Sequence, residues 1–405
     1  MQIALHSSVL GSDKHLIWDG NIFTWSHYLN PDVWVFGDPQ HLRSLDLICE
    51  AKKISIAFPC NVHRNIWHQV MGKESDFKVK WYLSMRASTF RSTILDTLEQ
   101  LWMTLNDENG SYYRNEFFDI RKLLLMLTES KIDPLIMHQF LKNGTAPSST
   151  LESFYPENKQ NFAALPVYSQ TRTSTGRLTI VEGPNILTLR KDYRKILKSR
   201  YKDGSIVQVD FVSLEPRVLL SFLGKDCPKD IYEHICHKVF DGNIDREKAK
   251  ILTLGMIYGL SSKSLAVRLE VNENKAKRYA KTIKEFFAIK QMTKSLIDSA
   301  TLGKIKNLYG RHIDISNDPA YVLVNRFVQS TAADAALLSF YNLAKSAIDK
   351  SSEIKPIFLI HDAILFDVSP EGFKTLHNEV RDGLFVPKFN NKFPVDVQVI
   401  TTNKN

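Results

Sequence analysis

The sequence predicts an α+β chain built around one sheet, and three observations predict it. Two segments rich in β-branched and apolar residues, "SIVQVDFVSL" at 205–214 and "KPIFLIHDAILFDV" at 355–368, read as buried strands that each present an acid, Asp210 and Asp362. Between them the apolar spacing becomes helical, first in "DREKAKILTLGMIYG" at 245–259 and then in "NENKAKRYAKTIKEFFAIKQMTKSLIDSATLG" at 272–303, where Asn272 stands as an N-cap. No internal repeat or low-complexity tract intervenes, so a helical insertion in a sheet host is implied.

The remaining elements follow in chain order. Up to about residue 75, the apolar runs "HLIWDG", "VWVFGD" and "ISIAFPC" alternate with polar stretches, the pattern of a small α/β module whose role is not legible. From Ser88 the pattern changes: Ile94, Leu98, Leu101, Trp102 and Leu105 fall at helical spacing, and Phe118 to Leu127 continues it after a loop, "NDENGSYYRN" at 106–115. The two stretches make an elongated helical pair. The segment "LKNGTAPSSTLESFYPENKQNFAALP", 141–166, is rich in Ser, Pro and Asn and reads as a boundary or loop-dominated connector.

Composition narrows the partners. With 405 residues, 43% hydrophobic and 24% charged, the chain has room for two or three domains. Lys and Arg outnumber Asp and Glu by 53 to 44, and the net charge of +9 favours a polyanionic partner. Cys49, Cys60, Cys227 and Cys236 form no CxxC pair, so neither a disulfide framework nor a structural zinc is expected. The first residues lack a leader pattern, and no segment approaches the ~20 apolar residues of a membrane span. A soluble, cytoplasmic chain with no membrane partner is the expectation.

Asp210 and Asp362 carry the chemistry. Each is flanked by apolar residues that would bury it, which is costly unless the acid is paired, hydrogen-bonded or metal-bound. Either alone also fits a strand-end cap. Two on neighbouring strands would instead hold two Mg²⁺ ions about 3.5–4 Å apart, one activating an attacking hydroxyl and the other stabilising a leaving oxygen. Arg246, Lys250, Leu254 and Tyr258 recur every four residues, so their side chains fan across roughly 120° of one helix. They fit a solvated basic edge beside an apolar seam; beside two metal-binding acids they also fit a triphosphate clamp, with Leu254 and Tyr258 under the sugar and base. Arg177, behind the small-residue turn "QTRTSTG", would reach a minor groove. Asn325 and Gln329, four apart on an otherwise apolar helix, suit either base edges and sugars or an interhelical contact.

The order of these pieces resembles the family A DNA polymerases, the bacterial polymerase I and phage polymerase group. "TSTGRL" resembles the family's T-x-T-G-R-L, "VDFVSLEPRVL" its motif A, "REKAKILTLGMIYG" its motif B, "FVQSTAAD" its M-Q-G-T-A-A-D, and "IHDAILFDV" its motif C. The resemblance is specific from about Gln170 to Val368 and absent from the first 75 residues. It implies a right-hand polymerase fold of palm, fingers and thumb, with a small N-terminal α/β module at 1–75. The thumb-like helical region would be 76–165, the palm 166–225 and 311–405, and the fingers 226–310. It further implies Asp210 and Asp362 as metal-binding carboxylates, with the Phe211 carbonyl as a further ligand for two Mg²⁺ ions, Mn²⁺ being able to substitute. Arg246 and Lys250 would bind the triphosphate, Lys250 also serving as a proton donor to pyrophosphate. Tyr258 would stack near the templating base, and Glu215 would be the steric gate against a ribose 2′-hydroxyl. Arg177, Asn325, Gln329 and His361 would hold the primer terminus and minor groove. The implied partners are primer-template DNA and dNTPs, with a separate exonuclease or replication accessory proteins as candidates.

The match departs from the family at named positions. Ala363 replaces the usual Glu of motif C, Leu254 the usual Phe or Tyr of motif B, Tyr232 a common phosphate-binding His, Tyr321 a DNA-contacting Arg, and Pro216 a Leu. Residues before 77 are too few for the family's proofreading exonuclease and contain no D-x-E pair, so no editing and no fused flap nuclease is expected. Such an enzyme suits a phage or mobile element. Two other readings share the palm acids: a DNA-binding protein of polymerase fold with reduced catalysis, and a single-subunit RNA polymerase or primase. Retention of both acids with Arg246, Lys250 and Tyr258 weighs against the first, and Glu215 with the TGRL and QSTAAD phrases against the second.

Overall fold

A computed structural model of the chain describes residues 2–10, 12–18, 22–28, 33–36, 54–56, 110–142, 148–156 and 158–403, with residues 86, 88 and 103. It comprises two compact units, Met1–Arg121 and Lys122–Asn405. The helix expected at 94–105 lies outside the described residues, apart from residue 103.

The first unit is a five-stranded sheet of β1 (Gln2–Leu5), β2 (His15–Trp18), β3 (Phe23–Ser26), β4 (Val33–Phe36) and β5 (Ile54–Ile56). Their spatial order is β3-β2-β1-β4-β5, with β4 parallel to β1 and the other pairs antiparallel. The three apolar runs read from the sequence supply β2, β4 and β5. The expected loop at 106–115 is partly helical: Ser111–Arg114 forms one turn, with Tyr112 and Tyr113 buried. Aromatic burial overrides the polar composition there, as Tyr113 packs 4.6 Å from Phe23, and Phe117 of the next helix lies 5.4 Å from Trp25.

The second unit is organised by β6 (Ser205–Phe211), β7 (Ile354–Ile360), β8 (Ala363–Val368) and β9 (Val395–Thr402), antiparallel in the order β7-β8-β6-β9. Alternation along β6 sends Val207, Val209 and Phe211 to one face and Ile206, Gln208 and Asp210 to the other. The Phe211 ring lies 5.4 Å from Phe340 of the long helix Leu323–Lys350, which is buried at most of its positions. Ile206 and Leu365 on the opposite face join a core with Met137, Leu151, Phe154 and Ala163. The segment 141–166, expected to be a connector, therefore contributes to a core: Ser148–Glu152 is helical, and its Leu and the following Phe seal the sheet.

The helical insertion has a core of its own. Leu252, Met256 and Ile257 of the helix Arg246–Ile257 meet Leu265, Ile283 and Phe287, and Val324 and Phe327 of the long helix. Side-chain caps start its helices: Asn272, the cap the sequence predicts, accepts from the Lys275 N–H at 2.8 Å, and Asp245 accepts from that of Lys248 at 2.8 Å. The long stretch 272–303 breaks at Ala288, whose φ of +48° separates Glu273–Phe286 from Ile289–Asp298. No described helix is long and apolar enough to cross a membrane.

Candidate active site

Sheet register brings the two acids together. Asp210, near the end of β6, stands opposite Ala363 of β8 and Asp396 of β9. Asp362 is not within a strand, as the sequence reading had it. With His361 it forms the two-residue turn between β7 and β8, since Ile360 pairs with Ala363. The turn places His361 at φ +51°, a left-handed conformation costly for a residue with a Cβ. The Phe211 N–H donates to the Asp362 carbonyl at 3.1 Å and fastens this turn to the end of β6.

Both carboxylates are strained electrostatically. Burial and the neighbouring Asp362 push the Asp210 carboxyl up to about 6. Burial also raises Asp362, against the pull of its own N–H, His361 and Arg177. Desolvation beside the cavity, then Arg177, lowers the His361 imidazole. A hydrogen-bonded chain steadies Asp210: Arg194 Nη1 donates to Gln208 Oε1 at 2.9 Å, and Gln208 Nε2 donates to Asp210 Oδ2 at 3.1 Å. Sequence pattern singles out neither Arg194 nor Gln208 as a site residue. The two-residue spacing of Gln208 and Asp210 was the available signal. Arg194 gave none.

A cavity of about 470 Å³ opens beside these strand ends. The helix Arg246–Ile257 and its C-terminal Tyr258 line it with Arg246, Lys250, Leu254 and Tyr258, so the four-residue stripe does face one space. The helix Leu214–Phe222 contributes Glu215, and Pro216 is accommodated because it lies in the first turn, where helices tolerate proline. The long helix contributes Gln329; Arg177, His361 and Asp362 complete the wall. Asp210 and Phe211 sit just outside this lining at the β6 terminus. Asn325 also lies outside it, one turn before Gln329, and its buried Oδ1 makes no hydrogen bond among the described residues.

Glu215 is the knot of the cavity. Its Oε1 accepts from Arg177 Nη2 at 2.5 Å and its Oε2 from the Tyr258 hydroxyl at 2.6 Å. Burial raises its carboxyl even against these two donors. Arg177 is thus engaged with Glu215, a partner the sequence did not reveal. Arg246 pairs with Asp230, and its guanidinium lies 5.5 Å from the centre of the Tyr232 ring, another wall residue.

The donor set suits a hard divalent cation. Asp210 and Asp362 supply adjacent carboxylates, both raised by burial and Asp210 also by the charge of Asp362, and a bound cation would offset that cost. Among the described residues no group of three or more His, Cys, Asp or Glu side chains is placed to hold a metal ion, so such a cation would rest on two carboxylates supplemented by main-chain and substrate oxygens.

Comparison with known proteins points the same way as the geometry. The sequence profile described as DNA polymerase family A matches residues 126–404. DNA polymerase I of Lactococcus lactis subsp. cremoris (strain MG1363) is 27% identical over 236 residues, covering 50% of this chain and 27% of that protein. DNA polymerase I of Helicobacter pylori (strain J99 / ATCC 700824) is 25% identical over 318 residues, 71% of this chain and 35% of that protein. The chain spans about a quarter to a third of the length of these curated relatives. Among solved structures, the POL domain of Pol1 from M. smegmatis, in complex with DNA primer-template and dNTP, aligns with a TM-score of 0.50 at 18% identity, covering 75% of this chain and 66% of that one. That likeness is one of fold, and it is the right-hand fold expected from the motifs.

Proposed function

Because this chain belongs to DNA polymerase family A, we propose that it is a template-directed DNA polymerase, extending a primer 3′-hydroxyl with dNTPs and releasing pyrophosphate. The observation that carries this reading is the convergence on one cavity of the turn acid Asp362, with Asp210 of the neighbouring strand beside it, and the cationic helix face of Arg246 and Lys250. In this assignment residues 166–225 and 311–405 are the palm, 226–310 the fingers and 76–165 a thumb-like region. The helical insertion packs on a core that it shares with the helix Leu214–Phe222 and the long helix and that is distinct from the core under the sheet, which supports the second of these.

The roles are those the family motifs imply, and the positions of the residues around the cavity support them. Asp210 and Asp362, with the Phe211 carbonyl, would hold two Mg²⁺ ions, or Mn²⁺ in their place. The bound ions would lower the pKa of the primer hydroxyl and neutralise charge developing on the phosphoryl oxygens. The Gln208–Arg194 chain holds Asp210 in one orientation. Arg246 and Lys250 bind the triphosphate, and Lys250 delivers a proton to the departing pyrophosphate. Glu215, fixed from two sides, stands where a 2′-hydroxyl would intrude. Tyr258 lies by the templating base, while Arg177, His361, Gln329 and Asn325 serve the primer and minor groove. We also propose no intrinsic 3′→5′ proofreading, since residues 1–75 carry no D-x-E pair.

The test is primer extension with Mg²⁺ and deoxy-, dideoxy- or ribonucleotides in separate reactions. Extension with dNTPs alone, directed by template, is expected. No incorporation of any nucleotide, or a preference for ribonucleotides, would overturn the reading.

A further inference from the structure

Asp230 uses one carboxylate twice. Its Oδ1 accepts from the N–H groups of Tyr232 and Glu233, both at 3.0 Å, and caps the short helix Ile231–His234. Its Oδ2 accepts from Arg246 Nε at 2.7 Å. The Tyr232 ring that follows the cap is the ring over which the Arg246 guanidinium lies. The loop before Asp230 is itself immobilised by Arg217, which is almost wholly buried. Arg217 donates from Nε to the Val212 carbonyl at 2.9 Å, from Nη1 to that of Pro228 at 3.0 Å and from Nη2 to that of Lys229 at 2.5 Å. Val212 is two residues beyond Asp210, so a continuous set of bonds runs from the acid-bearing strand to the guanidinium.

The attachment at Nε matters chemically. It leaves the two terminal nitrogens of Arg246, whose only other hydrogen bond among the described residues is a 3.4 Å contact from Nη1 to Glu247. Arg246 and Tyr232 both line the cavity, so those nitrogens are available to an anion there. We propose that Asp230 is a positioning residue: it orients Arg246 at Nε, against the Tyr232 ring, so that the terminal nitrogens meet the triphosphate of the incoming nucleotide without first losing side-chain freedom. This rests on the polymerase reading above. The physical gain is preorganisation, because ordering a long side chain before the ligand arrives removes that cost from binding. The carboxylate does not repel the triphosphate strongly, since two N–H groups and the guanidinium already offset its charge. Although burial by itself would raise it, the Glu233 N–H and Arg246 hold its pKa below the usual carboxylate range.

Asp230→Asn separates the two uses. Asn retains an oxygen to cap the helix but removes the charge that holds Arg246. With wild type, Asp230→Asn, Arg246→Ala and the double variant, three quantities are measured: KM for dNTP and kcat in single-nucleotide insertion, affinity for inorganic triphosphate by calorimetry, and melting temperature. Asp230→Asn should raise KM and weaken triphosphate binding about tenfold, the scale of one charge-assisted hydrogen bond, with kcat and melting temperature nearly unchanged. In the Arg246→Ala background it should change neither KM nor triphosphate affinity. An unchanged KM and affinity, or the same loss in the Arg246→Ala background, would overturn the positioning role. A wild type that extends no primer, while Asp230→Asn still loses triphosphate affinity, would overturn the polymerase reading and support the orientation of Arg246.

Discussion

Asp210→Asn should make the protein more stable when no divalent cation is present. The Asp210 carboxyl titrates at about 6, against 3.8 ordinarily, because folding buries it beside Asp362. A rise of that size corresponds to at most about 3 kcal/mol. The side chain is only partly buried, so solvent screening reduces the expected gain to about 1–2 kcal/mol. The sign follows from linkage: a raised folded-state pKa contributes stability that is fully present below the unfolded value near 4 and lost as pH rises through about 6. The metal-free wild type should therefore weaken across that window, while the Asn variant, which cannot ionise, should not. Asn also keeps an acceptor for Gln208 Nε2, which now bonds Asp210 Oδ2. The assay is thermal unfolding in a chelator at about pH 4 and about pH 8. The variant should melt about 2–4 °C above wild type at the higher pH and show little difference at the lower. Added Mg²⁺ should stabilise wild type more than the variant, and the variant should not extend primers. A variant no more stable than wild type at about pH 8, or equally favoured at both pH values, would refute the reasoning that burial and Asp362 load this carboxylate.

Four further outcomes are expected. Lys250→Ala should lower the insertion rate by about 2–4 kcal/mol of barrier while primer-template affinity, measured by gel shift, holds; an unchanged rate would return the cationic stripe to a solvated edge. Glu215→Ala should raise ribonucleotide incorporation, and Leu254→Tyr should relax discrimination against dideoxynucleotides by about 1–3 kcal/mol, both read by competitive single-nucleotide insertion. A dideoxy ratio that moves with Glu215 and not with Leu254 would mean the two residues serve opposite sides of the sugar from those assigned. Asp334→Asn should cost about 3–5 kcal/mol in denaturant unfolding, because Asp334 is paired with buried Arg311 through 2.7 and 3.0 Å bonds and the substitution removes the charge that faces the buried guanidinium. A loss below about 1 kcal/mol would show that the guanidinium finds other acceptors.

Short-range pattern was enough for the strand pair, the helical insertion and the stripe on Arg246–Ile257, because a period of two or 3.6 determines which side chains share a face. The Asn272 cap was legible for the same reason: its partner is three residues away. What pattern could not decide is which face meets which. Glu215 bonds Arg177 and Tyr258, 38 and 43 residues distant, and Arg246 bonds Asp230, 16 residues distant across the helical segment Ile231–Val239. The helical turn at Ser111–Arg114 and the buried Leu151 and Phe154 were hidden behind polar neighbours, because their burial comes from surfaces supplied by other elements. Asp210 and Asp362 were each visible as an acid among apolar residues, but only strand register and the left-handed His361 turn bring them side by side. The sequence by itself therefore determined the residue types and the faces that carry them. The tertiary structure decided their partners, because a hydrogen bond or ion pair between distant residues depends on how the intervening chain closes, which no local period records.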